Sequence, residues 1–143
     1  MARRFPLAGL LRLRHAEQDR AAASLATANE RVRDAADARI AARRSLADTE
    51  GTQPIQDAAT LSAVAAARAA TRGMLEELDA VVRTRQADAD RAQEAYTAAR
   101  RAAVGLEKLE GKHVEQQAAE ELRVEQDALD EIAARRRTEG GAR

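Results

Sequence analysis

The chain has no cysteine and no tryptophan, and its aromatic residues amount to 1%, namely Phe5 and Tyr96. Without cysteine there is neither a disulfide framework nor a thiolate metal site, which suits a reducing cytoplasm. With so few bulky side chains the sequence has little to wall a pocket of several hundred cubic ångströms, so small-molecule catalysis is not expected. His15 and His113 are the only histidines and neither lies in an HExxH-type arrangement; no G-x-x-x-x-G-K stretch exists to cradle a nucleotide. Carboxylate pairs such as Glu76 with Glu77 read as solvated helix faces, because nothing on a slender helix raises their pKa for acid-base work. The expectation is a non-enzymatic chain with no metal and no cofactor.

Long apolar runs are missing too. None approaches the roughly 20 residues needed to span a bilayer, so no membrane insertion is expected. The opening MARRFPLAGLLRLRH is interrupted by Arg12 and Arg14, so it reads as the start of a helix rather than a signal peptide. Lys+Arg and Asp+Glu are both 24, and this neutrality gives no overall preference for nucleic acid or anionic lipid.

What is present is alanine, arginine, glutamate, aspartate and leucine, with 34% charged residues, the bias of long helices and coiled coils. Leu11, Leu25, Val32 and Leu46 fall on one seven-residue step, with Gln18 and Arg39 in the other two places. Offset by three or four come Leu7, Arg14, Ala21, Ala28, Ala35 and Ala42. This is a heptad seam, large on one rank and mostly alanine on the other, which lets a partner helix approach closely. Pro6 suits the first helical position. The stretch Asp48-Thr-Glu-Gly-Thr-Gln-Pro54 combines a glycine stop with a proline restart and marks the clearest break. Gly73 is a second candidate break. Beyond it, residues 100–137 carry Val104, Leu106, Leu109, Val114, Leu122, Val124, Leu129 and Ile132 as a narrow stripe that needs a partner.

The fold class expected is all-α: a long antiparallel coiled-coil hairpin with a short extra helical segment at the tip. Its elements are a helix over 7–50, a turn over 51–56, a short helix over 57–72, a long helix over 74–137 and a disordered tail over 138–143. A single turn at Gly51 would leave the stem from about Leu106 onward unpaired. A second reversal near Gly73 brings the stem against residues 7–50, placing Leu11 near Ile132 and Leu25 near residues 114–122. Charge favours that docking, since the arginines of the first third, Arg12, Arg14, Arg20, Arg31 and Arg33 among them, would lie along the acidic run of residues 115–131. The same seams serve a homodimer, but the available turns favour the intramolecular hairpin and a monomer. Gly105 and Gly111 read as bends or close approaches within the stem, and Arg135, Arg136 and Arg137 as a C-terminal cluster complementing the helix dipole.

The opening Phe5-Pro-Leu7-Ala-Gly-Leu10-Leu11-Arg-Leu-Arg14 resembles the F-x-L-x-x-L-L-x-x-R start of the flagellar export protein FliJ family. The stem resembles its C-terminal signature in Leu106-Glu107-Lys108-Leu109, in Glu125-Gln126, in Leu129-Asp130-Glu131 and in Ala133. Gly111 departs from the charged helix former common there. The resemblance implies a non-enzymatic stalk that inserts into the ring of the export ATPase FliI, promotes its assembly, contacts the export gate protein FlhA and is linked to export chaperones. It implies a cytoplasmic protein held peripherally at the inner membrane beneath the flagellum. Carried over, Phe5, Leu7, Leu10, Leu11 and Arg14 join Leu129, Asp130 and Glu131 at the stem end offered to the ATPase. Leu106, Glu107, Leu109, Glu125 and Gln126 complete that set. Leu46, Met74, Leu75, Leu78, Val81 and Val82 at the opposite tip would face the gate. A generic dimeric coiled-coil scaffold and the equivalent stalk of a virulence secretion system are the alternatives.

Overall fold

The structure is a computed structural model and describes residues 4–50, 54 and 56–140. It is all-α, with α1 (Ala8–Glu50) and α2 (Ala58–Gly140) packed antiparallel as a hairpin. The expected helix over 7–50 therefore begins one residue later. Pro6 sits in the turn before it, where Ala8 N donates to Phe5 O at 3.1 Å. That makes Pro6 the second residue of a four-residue turn, a place its fixed φ suits. Most of the expected turn over 51–56 lies outside the described residues, as do the last three residues of the tail. Thr138 to Gly140, expected to be disordered, are the end of α2.

The short helix over 57–72 does not exist as a separate element. α2 passes through Gly73 without interruption. A glycine ends a helix most readily in the left-handed region with a proline close behind, and here no described residue has positive φ and no proline follows Gly73. The deciding feature is the seam. Every seventh residue from Val64 to His113, and every seventh from Arg68 to Gln117, is buried or half-buried. Both ranks run past Gly73 in one phase and leave it on the exposed side, where nothing lies within 4 Å of an added Cβ. A reversal there would break a continuous seam to avoid a propensity cost of about 1 kcal/mol.

α2 starts at a side-chain cap. Asp57 Oδ1 accepts from Thr60 N at 2.6 Å, and Asp57 O accepts from Leu61 N at 3.1 Å. One of the unpaired donors of the first turn is thereby satisfied. Bonding to the Thr60 backbone, then to its side chain, holds the Asp57 carboxyl below its ordinary 3.8.

The seam of α1 follows the expected ranks. Leu11, Gln18, Leu25, Val32, Arg39 and Leu46, and the offset rank from Arg14 to Ala42, are all buried or half-buried. Packing divides the chain into two units, Met1–Glu17 with Ala99–Arg143, and Gln18–Ala98. In the second unit the most buried residues are Ala35 and Ala89. Arg39 takes a seam position because its guanidinium reaches Asp79 Oδ1 of α2 at 3.2 Å, an ion pair without hydrogen-bond alignment. In the first unit the most buried residues are Leu11 and Ala103, the latter with no exposed surface. Alanine at these sites lets the backbones come close, as the alanine rank implied.

Two outcomes follow. Gly73→Ala should raise stability by up to about 1 kcal/mol in chemical denaturation; a loss would mean that the chain needs glycine there to turn. Asp57→Ala should lower the melting temperature at neutral pH. Because the Asp57 carboxyl is more acidic folded than unfolded, its contribution is present above 3.8 and is lost as pH falls through the lower folded value. The difference between wild type and variant should therefore close in acid.

Candidate partner-binding surface

Two contacts of the first unit set its register. The Phe5 and His113 rings lie 5.7 Å apart at 48°. His15 Nε2 donates to Glu107 Oε1 at 2.7 Å. The chain order of these pairs makes the packing antiparallel and puts Leu11 opposite residues near 110. His15 thus sits at the edge of the seam and His113 on one of its ranks, both half-buried. Arg14 turns to its own helix instead, with Nη1 2.8 Å from Glu17 Oε2.

This register overturns the expected match of Leu11 with Ile132. Ile132 lies about 22 residues farther along α2, roughly 33 Å at helical rise. Leu25, expected against residues 114–122, belongs to the other unit. The physical reason is length: α1 has 43 residues and α2 has 83, so one turn between them leaves the end of α2 without an α1 residue to face. Every residue from Ala118 to Thr138 is exposed, Leu122 to 67%, Leu129 to 66% and Ile132 to 51%. The acidic run of residues 115–131 consequently does not lie along the arginines of α1. Arg135 pairs with Glu131 one turn back, at 2.6 Å.

The residues singled out in the sequence fall into three places. Phe5, Leu7, Leu10, Leu11 and Arg14 are brought together with Leu106, Glu107 and Leu109. Leu11 is the buried member of this group, whereas Leu7, Leu10 and Leu109 are exposed. Glu125, Gln126, Leu129, Asp130 and Glu131 form a separate, wholly exposed stretch on the α2 extension. Leu46, Leu75, Leu78 and Val82 are half-buried seam residues of the second unit, while Met74 and Val81 point outward at 52% and 42% exposure. Met74 lies about four turns inside α2 rather than at a helix start.

Around the start of α1 an open groove is lined by Arg4, Phe5, Ala8, Leu11, Arg12, His15 and Glu110. Its mouth is too wide to exclude water from a small molecule. Among the described residues no group of three His, Cys, Asp or Glu side chains is placed to hold a metal. No helix among them is long and apolar enough to cross a membrane.

Leu122 and Ile132 were read as parts of one stripe and not as site residues. A change of phase distinguishes them. If the α2 seam ran on beyond Gln117 it would use Glu120, Val124, Asp127 and Glu131, which are mostly charged. Leu122 lies about 140° around the helix from Gln117 and about 180° from His113. Leu129 lies about 120° and 160° from the same two residues, so both leucines of the extension are turned away from the side that meets α1, while Val124 and Ile132 lie nearer to it.

Two antiparallel helices, one extended far beyond the other with its apolar residues in water, define a coiled-coil hairpin built to meet other macromolecules. The family model described as "Flagellar FliJ protein" matches residues 3–140, and the chain belongs to the FliJ family, non-catalytic components of the flagellar export apparatus. No curated protein matches the chain, and no solved structure does.

The two classes of leucine should respond differently to truncation. Leu11→Ala should cost about 2–3 kcal/mol in denaturant unfolding, whereas Leu129→Ala should change stability by less than about 0.5 kcal/mol. Equal losses would place Leu129 in a packed seam.

Proposed function

We propose that this chain is a stalk of the flagellar export apparatus that docks on the ring of the export ATPase FliI and promotes its assembly and activity. The observation that carries the reading is the exposed α2 extension with Glu125, Gln126, Leu129, Asp130 and Glu131, in a chain of the FliJ family. A single helix is about 10–12 Å across and presents a slimmer body to a ring than a packed pair does. In that reading the extension is the leading part, and Phe5, Leu7, Leu10 and Arg14, with Leu106, Glu107 and Leu109, meet the ring at a second height.

The physical action is differential binding. A ring presents several equivalent subunits to one asymmetric helix, so the leucine face contacts some of them and the acidic face others. A partner shifts a conformational equilibrium only by the difference in its affinity for the two states. The helix therefore favours different conformations in different subunits, and ordered hydrolysis follows. Met74 and Val81, a heptad apart and both exposed, are the apolar residues available to the export gate protein FlhA. Export chaperones are further partners in this reading, and the protein works on the cytoplasmic side, peripheral to the inner membrane.

ATP hydrolysis by the cognate FliI, measured with and without the protein, tests this. Stimulation and co-sedimentation are expected, and Leu129→Ala combined with Glu131→Lys should remove most of the stimulation without lowering the melting temperature. No stimulation and no co-sedimentation by the wild-type chain would contradict the proposal.

A further inference from the structure

We propose that the exposed apolar stripe of the α2 extension is a self-complementary docking surface for a second copy of this chain, paired antiparallel about a twofold axis between Glu125 and Gln126. The stripe differs from both hairpin seams, and the inference does not depend on docking to an ATPase.

The argument is the order of residues along one face. At helical spacing Glu115, Ala119, Leu122, Leu129, Ile132 and Arg136 fall within one broad face of the extension, all exposed. Running a second copy backwards along the first sets Leu122 against Leu129, Ala119 against Ile132, and Glu115 against Arg136. Each pair occurs twice, as a twofold interface requires. At the axis Glu125 meets Gln126, a carboxylate beside an amide that can donate to it. Along one flank Arg123 of one copy approaches Asp130 of the other, again with opposite charge.

The parallel alternative fails on the same residues. It would set Glu115 on Glu115 and Arg136 on Arg136, and like charges at matched flanking positions select against that orientation. Neither Glu115 nor Arg136 has an ion pair with another described residue, so both charges are available to a partner. Large against small at Ile132 and Ala119 keeps the separation even, with the two leucines in the middle. Six turns of two-stranded contact are short, so the dimer forms in the range of roughly 10–100 µM rather than as an obligate species. The face that self-association covers includes Leu129 and Gln126, so the paired chain withholds residues that the free chain presents.

The absence of cysteine allows the geometry to be tested on the full chain. In sedimentation equilibrium the wild type should show a concentration-dependent monomer-dimer exchange. Glu115→Arg or Arg136→Glu alone should weaken it roughly tenfold, and the double variant should regain it, a rescue that damage to the helix would not give. Under mild oxidation Gln126→Cys should form a covalent dimer readily. Ile132→Cys should not, because antiparallel copies hold the two positions about 20 Å apart along the axis. A monomer at all concentrations up to several hundred micromolar, efficient cross-linking through Ile132→Cys, or no rescue in the double variant would each overturn the proposal.

Discussion

The close approach of α1 and α2 along a seam of alternating large and small residues is the constraint from which the rest follows. Ala35, Ala89 and Ala103 are more deeply buried than any leucine except Leu11. A two-helix structure has no third layer to cover its apolar side chains, so it limits their size and lets the backbones close the gap. The result is a structure with little interior, in which specificity resides in register rather than in volume. His15 with Glu107 and Arg39 with Asp79 are consistent with this, each fixing which residues stand opposite without adding much stability at such exposure.

Register, in turn, decides what is left over. Because both ranks of α2 continue in one phase from Val64 to Gln117, the helix cannot turn at Gly73, and it outruns α1. The extension is a direct consequence of seam continuity. No α1 residue stands opposite its leucines, and the positions that would continue the seam are mostly charged, with Leu122 and Leu129 on another face of the helix. A partner other than α1 is implied by that rotation, in export through the ATPase reading and in self-association through the stripe.

Much of this was legible in the residues. The two ranks of α1, the break after Gly51 and the antiparallel arrangement all follow from spacing, and the paired terminal motifs carry the family. The reversal at Gly73 is the exception. A turn there would give the stem a partner in α1, but it would break a seam many heptads long where glycine costs the unbroken helix only about 1 kcal/mol. Pairing the stem with α1 would require Leu122, Leu129 and Ile132 to face α1, and all three are exposed. Counting in sevens from Arg68 through Leu75, Val82, Ala89, Tyr96 and Ala103 carries α2 across Gly73 in one phase and leaves Leu122 and Leu129 out of it.

The central claim is that Leu11 stands opposite residues near 110 and not opposite Ile132. Spin labels at Leu7→Cys with Lys112→Cys, diluted in unlabelled protein so that only distances within one molecule are read, test it most directly against Leu7→Cys with Ile132→Cys. The account predicts a separation below about 20 Å for the first pair and of roughly 30 Å or more for the second, from the helical rise alone. A short distance between positions 7 and 132, with a long one between 7 and 112, would contradict it.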